Sequence, residues 1–141
     1  MASLLSGPIL VVEDDEDIRE ALVGFLEMHG YEAAVAVNGR QAVEQLQRSP
    51  RPSLILLDMA MPVMGGHRVL TFRKETEGFQ SVPVIIISAG MAAMNPRDRA
   101  LYAANYNVAA FLKKPADPDQ LLELIQLHAQ HLDGGSLGAP A

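Results

Sequence analysis

The chain has 141 residues, about the size of one domain, and 49% of them are hydrophobic, which suffices to fill a core. Its net charge of −6 disfavours non-specific nucleic-acid binding, and the absence of cysteine excludes disulfides, thiolate metal sites and a cysteine nucleophile. No apolar run approaches the ~20 residues of a membrane helix, and the first seven residues lack the features of a signal peptide. We therefore expect a single cytoplasmic domain that neither enters a membrane nor binds nucleic acid directly.

Five apolar segments are predicted to be strands. Three are continuous runs typical of strands buried on both faces, namely Ile9–Val12, Leu54–Leu57 and Val84–Ile87. Two weaker candidates are residues 35–37 and 110–112. Their order along the chain leaves room for a helix after each strand.

Helical patterns occupy those intervals. Apolar residues recur at helical spacing within residues 18–26, and Gly30 is predicted to stop this first helix. The second covers residues 42–46 and ends before Pro50. The remaining three are centred on residues 69–72, 100–104 and 121–132, with Pro118 near the start of the last. Alternating strands and helices predict a doubly wound α/β fold with right-handed crossovers.

Polar side chains directly follow four of the predicted strands. They are Glu13 and Asp14, then Asp58, Ser88 and, two residues after the last strand, Lys114. In a parallel sheet the carboxyl ends of the strands share one edge, where ligands gather. The sequence therefore predicts a cluster of three acids, one hydroxyl and one lysine at that edge.

This combination of groups favours phosphoryl chemistry. Three clustered carboxylates require a counter-charge, which a hard divalent cation such as Mg²⁺ supplies through oxygen ligands. A lysine can neutralise a phosphoryl oxygen and a serine hydroxyl can bind another, while a carboxylate beside Mg²⁺ can act as a nucleophile. We infer phosphoryl transfer onto a carboxylate.

Four motifs in order carry a family resemblance: LVVEDD, LILLDMAMP, IIISA and FLKKP. They resemble the motifs of the bacterial response-regulator receiver domain, the CheY-like family, over residues 8–132. The resemblance implies a flavodoxin-like fold with five strands in the order 2-1-3-4-5 and phosphorylation by a sensor histidine kinase or phosphotransfer protein. Residues 1–7 and 133–141 would then be a short extension and a flexible tail.

The resemblance also implies roles for individual residues. Asp58 corresponds to the phosphoacceptor, Asp14 to the acid that binds Mg²⁺ directly, and Glu13 to its partner, which often acts through water. Ala60 occupies the position whose backbone carbonyl ligates the metal. Such a protein catalyses only its own phosphorylation and dephosphorylation.

Three further positions correspond to the family's signalling switch. Ser88 matches the hydroxyl that moves towards the phosphoryl group, Lys114 the lysine of the Lys-Pro pair, and Phe111 the aromatic residue that turns inward. In the family, the surface of the fourth helix, fifth strand and fifth helix then changes its partners, and homodimers often form there. The peptide bond between Lys114 and Pro115 resembles one that the family keeps cis.

The sequence departs from the family pattern in three places. Ser88 and Lys114 are 26 positions apart, a few more than usual, and the extra residues lie in or near GMAAMNPRDRA. Asn107 stands where a glycine usually precedes the fifth strand, although asparagine tolerates the left-handed conformation. Gly65 fills a position where an acid is frequent.

Two other functions compete with a stand-alone receiver. A haloacid-dehalogenase-like phosphohydrolase also uses a nucleophilic aspartate after an apolar strand, but normally has a second aspartate at the position of Ala60. A pseudo-receiver would be a binding module that has lost an acid or the lysine, and none is missing here. His128 and His131 have a spacing that permits metal binding on a helix, but without a third ligand we expect them to be surface residues.

Overall fold

The computed structural model describes residues 5–48, 50–59, 65–89 and 95–131. Its centre is a parallel sheet with strands in the order β2-β1-β3-β4-β5. The strands are β1 (Ile9–Val12), β2 (Ala33–Ala36), β3 (Leu54–Leu57), β4 (Val84–Ile87) and β5 (Ala110–Leu112). The predicted fold class and strand order are therefore confirmed.

The second strand begins two residues and ends one residue earlier than predicted. Val37, which the sequence places inside the strand, instead donates its backbone N–H to the side-chain oxygen of Gln41 at 3.0 Å. The next residue, Asn38, caps the following helix by accepting from the N–H of Gln41. Local side-chain hydrogen bonds thus end the strand before Val37 can join the sheet.

A helix follows each strand, as predicted. They are α1 (Glu16–Met28), α2 (Gly39–Leu46), α3 (Gly66–Glu75), α4 (Pro96–Tyr106) and α5 (Pro118–His128). Side-chain oxygens of Asp15 and Asn95 cap α1 and α4, and Asn107 ends α4 in the left-handed conformation expected for it, with φ of 56°. No helix among the described residues is long and apolar enough to cross a bilayer.

The fifth helix is shorter than the apolar pattern suggests. It ends at His128, so the prediction that His128 and His131 share a helix is wrong. His131 instead forms an isolated antiparallel bridge with Leu5, and Ser6 donates its N–H to the carbonyl of Gln130. Backbone pairing with the segment before β1 competes with continuation of the helix. Leu132 lies outside the described residues.

The sheet separates two apolar clusters, because alternate residues of each strand point to opposite faces. Leu10, Ile55 and Ile86 face the cluster that contains residues of α2 and α3. Ile9, Leu54 and Ile85 face the cluster that contains residues of α1 and α5. Burial on both faces explains why β1, β3 and β4 are uninterrupted apolar runs.

The fourth helix differs from the others because none of its residues is fully buried. Its Leu101, part of the apolar pattern that predicted the helix, is 60% exposed. Contacts to α3 hold it instead: both ring nitrogens of His67 lie 3.3 Å from tyrosine hydroxyls, Nδ1 from Tyr102 and Nε2 from Tyr106. Lys74 also donates to the side chain of Asn105.

A buried arginine of α3, which the sequence did not reveal, completes this attachment. Arg73 is 1% exposed, and its guanidinium donates to the carbonyls of Val82, Tyr106 and Asn107 at 2.6, 2.8 and 3.1 Å. The last two carbonyls belong to the C-terminal end of α4, where the helix dipole is negative. Arg73 therefore joins α3 to the end of α4 and to the start of β4.

Candidate functional site

The carboxyl ends of β1, β3 and β4 bring three polar side chains to one edge of the sheet. Glu13, Asp58 and Ser88 each come directly after a strand, and they are only 2%, 4% and 2% exposed. Val12 and Leu57 are partners in the register of β1 and β3, and the N–H of Asp58 donates to the carbonyl of Val12. The pairing of buried strands therefore fixes Glu13 and Asp58 side by side.

Three carboxylates converge at this edge. Glu13, Asp14 and Asp58 each offer an oxygen within 4.8 Å of the other two, and they are the group of potential metal ligands found among the described residues. Asp14 is exposed, whereas the other two acids are buried. One open side and three oxygen donors suit a hard divalent cation that retains water ligands, which is the preference of Mg²⁺.

A lysine from the loop after β5 joins the cluster. The Nζ atom of Lys114 lies 2.9 Å from Oε1 of Glu13 and 3.3 Å from Oδ2 of Asp58. The peptide bond that follows Lys114 is cis, as the sequence resemblance implied. A single lysine thus pairs with two buried acids at once, while Asp14 adds a third negative charge nearby.

The pairing of Lys114 with Glu13 affects the ionisation of both groups. Burial raises the pKa of Glu13, as does the charge of Asp58, although hydrogen bonds from Lys114 and the Asp15 amide oppose the shift. Burial lowers the pKa of Lys114, but its hydrogen bond to Glu13 and the charges of both acids outweigh burial, so the net pKa is raised. The lysine stays protonated, and one cation does not fully compensate two buried carboxylates.

Residues 9–126 match the family profile described as the response regulator receiver domain. The chain belongs to this family. Protein Rrf1 of Nitratidesulfovibrio vulgaris is 36% identical over 119 residues, which cover 83% of this chain and 78% of that protein. Response regulator Rre1 of Synechocystis sp. is 34% identical over 84% of this chain, but the match spans only 49% of Rre1.

Solved structures of receivers have the same fold. A receiver domain of a signal transduction histidine kinase from Syntrophus aciditrophicus is 31% identical with a TM-score of 0.73, covering 86% of this chain and 88% of that one. A response regulator receiver protein from Pseudomonas putida is 27% identical with a TM-score of 0.76, covering 90% and 99%. This chain is therefore a receiver by both sequence and structure.

Of the other predicted site residues of this receiver, one follows β4, one lies on β5 and one falls outside the described residues. Ser88 is buried at the end of β4, and its N–H donates to the carbonyl of Leu112 at 3.0 Å. Phe111, on β5, is partly buried against the cluster that contains α2 and α3. Ala60, whose carbonyl was expected to ligate the metal, lies outside the described residues, as do residues 90–94 of the segment GMAAMNPRDRA.

A glycine at the start of α3 lies against the predicted phosphoacceptor. Gly66 donates its N–H to the carbonyl of Met59, and a Cβ atom at this position would lie 2.8 Å from the carbonyl oxygen of Asp58. It would also lie 2.8 Å from Cα of Met59. Only a residue without a side chain allows this close approach, which gives Gly66 a geometric reason that the sequence does not reveal.

Sequence reasoning missed Arg19, which lies on the first turns of α1. Its Nη1 atom donates to the backbone carbonyls of Glu13 at 3.1 Å and Asp14 at 3.4 Å. A basic residue just inside a helix that starts beside an acid cluster was the available signal. Its side chain reaches back over the loop that carries both acids.

An apolar groove adjoins the acid cluster. It has a volume of about 460 Å³ and lies between α1 and the loop that joins β5 to α5. Lys114 borders this groove as well as the carboxylates. The other lining residues are mostly apolar: Ile18, Ala21, Leu22, Phe25, Ile87, Pro115, Ala116, Pro118 and Leu121.

Proposed function

We propose that this receiver is a phosphorylation-activated signalling switch whose Asp58 accepts a phosphoryl group in the presence of Mg²⁺. One observation carries the proposal. The buried carboxylate of Asp58 lies 3.3 Å from the Lys114 ammonium and within 4.8 Å of two further acids. This arrangement combines a nucleophile, a fixed cation and a set of oxygen ligands for a divalent metal.

The donor set fits Mg²⁺. Glu13, Asp14 and Asp58 would hold the ion, and the carbonyl of Ala60 is the fourth ligand that the resemblance adds. When bound, Mg²⁺ supplies positive charge that neutralises both the clustered carboxylates and the oxygens of an incoming phosphoryl group.

The residues of the chain supply positioning and charge. A carboxylate oxygen of Asp58 attacks phosphorus, and an acyl phosphate forms as the bond from phosphorus to the donor's leaving group breaks. Lys114 neutralises a phosphoryl oxygen, and the hydroxyl of Ser88 donates to another. Because the ends of β3 and β4 carry Asp58 and Ser88 to one edge of the sheet, the attacking carboxylate and the hydroxyl begin on the same side of the fold.

The phosphodonor is proposed to be a histidine-bearing protein, a sensor kinase or phosphotransfer protein in the cytoplasm, that docks on the apolar groove. The groove is continuous with the site because Lys114 borders both. Ala21→Glu places a charge in the groove at an exposed helix position and should block transfer from such a protein. Phosphorylation by acetyl phosphate should persist in this variant.

Gln47→Glu is the matched control, because it adds the same charge at an exposed position beyond α2. Transfer from a phosphorylated histidine kinase would be followed by radiolabel. Equal transfer to wild type and Ala21→Glu would reject the groove as the docking site.

The signal is proposed to leave through the surface formed by α4, β5 and α5. α4 suits a movable element, because it has no fully buried residue and is held by polar contacts to α3. Its N-terminal end follows the segment after Ser88, and Phe111 of β5 lies in the adjoining cluster. We expect hydrogen exchange in α4 to change on phosphorylation in wild type and to stay unchanged in Asp58→Ala.

A phosphodonor assay tests the central proposal. The protein is incubated with Mg²⁺ and acetyl phosphate, and we expect a mass gain of one phosphoryl group that is absent in Asp58→Ala. Absence of label on wild type would indicate a pseudo-receiver, and equal label on the variant would reject Asp58 as acceptor. Steady turnover of many phosphomonoesters would indicate a phosphohydrolase, which the alanine at position 60 argues against.

A further inference from the structure

We propose that Arg19 is a positioning residue that orients the metal-binding carboxylate of Glu13 through the backbone of the β1–α1 loop. The inference rests on the proposed function of the acid cluster and extends it to a residue outside that cluster. Arg19 forms no ion pair with a carboxylate of the described residues. It binds the carbonyls of the two residues that carry the acids, Glu13 and Asp14.

Peptide planarity transmits this contact. In a trans peptide the carbonyl and the N–H point in opposite directions, so fixing one fixes the other. Arg19 holds the carbonyl of Asp14, and the N–H of the same peptide unit, which belongs to Asp15, donates to Oε2 of Glu13 at 3.2 Å. The guanidinium and the Glu13 carboxylate therefore lie on opposite sides of one peptide group.

The chain of contacts continues into the site. The other oxygen of Glu13, Oε1, accepts from Lys114, and Lys114 also pairs with Asp58. Both oxygens of Glu13 are thus fixed, one by Lys114 and one by the peptide that Arg19 orients. Loss of the Arg19 contacts frees the Asp14–Asp15 peptide to rotate and removes the support on one side of Glu13.

A positioning role and a purely electrostatic role predict opposite results. As a positive charge near three acids, Arg19 should repel Mg²⁺, so its removal would tighten metal binding. As a positioning residue it should favour binding, and its removal should weaken it. Partners that orient metal ligands typically contribute about ten-fold or more to affinity.

The test measures Mg²⁺ binding to the intact chain by calorimetry, without phosphodonor. We expect Arg19→Ala to weaken binding about ten-fold, and Arg19→Lys, which keeps a charged donor, to recover part of the loss. Arg48→Ala removes the same charge from an exposed position beyond α2 and should leave affinity unchanged. Unchanged or tighter binding in Arg19→Ala would overturn the proposal.

A metal-free readout separates this inference from the proposed function. The Asp15 amide proton, hydrogen-bonded to a carboxylate, should resonate downfield in the wild type and move upfield in Arg19→Ala, while amides of β3 stay in place. An unmoved Asp15 amide would overturn the inference. Wild-type protein that binds no Mg²⁺ would instead overturn the proposed function, and the amide shift would still test the Arg19 contact.

Discussion

Lys114 supplies the positive charge that Glu13 and Asp58 share. The arrangement leaves excess negative charge in a buried place, and burial is the largest cause of the raised pKa of Glu13. The charged site therefore lowers the free energy of unfolding of the metal-free protein. This is the expected cost of a site that keeps room for a cation and an anionic group.

Replacement of Glu13 by glutamine should stabilise the metal-free protein at neutral pH. The raised pKa means that the folded protein loses stability as pH rises from the ordinary glutamate value of 4.5 through the raised value. Glu13→Gln does not titrate, so its advantage should be small at pH 4.5 and reach on the order of 1 kcal/mol at pH 7.5. Urea unfolding in chelator across this range measures the difference, and an advantage that shrinks with rising pH would contradict the account.

Gly66 is the residue that lets α3 start against Asp58, the proposed phosphoacceptor. Gly66→Ala should destabilise the fold by about 1–3 kcal/mol, the usual cost of overpacking, and should slow phosphorylation because Asp58 must shift. Gly24→Ala is the control, since a Cβ there meets nothing within 4 Å and α1 gains a better helix former. Thermal unfolding measures the stability of both variants, and incubation with acetyl phosphate measures their rate of phosphorylation. Similar effects of Gly66→Ala and Gly24→Ala would count against a close approach of Gly66 to Asp58.

At the scale of elements, α4 has no fully buried side chain and is attached by partly buried ones, such as Tyr102 and Tyr106, together with hydrogen bonds from α3. Two of the three hydrogen bonds of the Arg73 guanidinium reach the end of α4, and the third goes to the carbonyl of Val82, before β4. Burial lowers the pKa of this guanidinium, whose partners among the described residues are backbone carbonyls. Carbonyls at a helix C-terminus take the place of an acid. The C-terminal end of α4 is thereby attached to α3, while its N-terminal end follows Ser88 in the chain.

Arg73→Met should destabilise the protein by about 2–4 kcal/mol, because three carbonyls, one of them buried, lose the donor that the buried guanidinium supplies, while the apolar volume is kept. Arg68→Met, at an exposed position of the same helix, should change stability by less than about 0.5 kcal/mol. Chemical denaturation followed by circular dichroism compares them. An Arg73 variant as stable as the Arg68 variant would show that α4 does not rely on this side chain.

The elements that the sequence predicted well are those whose pattern reflects burial. β1, β3 and β4 appear at the predicted residues because both faces of each strand are covered. β2 was misplaced because a glutamine side chain competes for its backbone, and α5 was overextended because backbone pairing at Leu5 replaces its last turn. Such competition depends on residues that are distant or polar, so periodicity does not reveal it.

For the whole molecule, parallel strand order explains why separate motifs form one site. Glu13, Asp58 and Ser88 were predicted to converge from their places after strands, and the fold brings them and Lys114 to the same edge. Arg19, Gly66 and Arg73 were not predicted, since each acts through backbone atoms whose positions appear only in three dimensions. Acids and lysines have a sequence signature at strand ends, whereas hydrogen bonds to carbonyls have none.

The most direct test of the central claim is to locate the phosphoryl group. After incubation with Mg²⁺ and acetyl phosphate, borohydride reduces an acyl phosphate to an alcohol, which converts the modified aspartate to homoserine. Peptide mass spectrometry should find homoserine at position 58, only when Mg²⁺ and phosphodonor are both present. Homoserine at another acid, or none at position 58 under those conditions, would contradict the account.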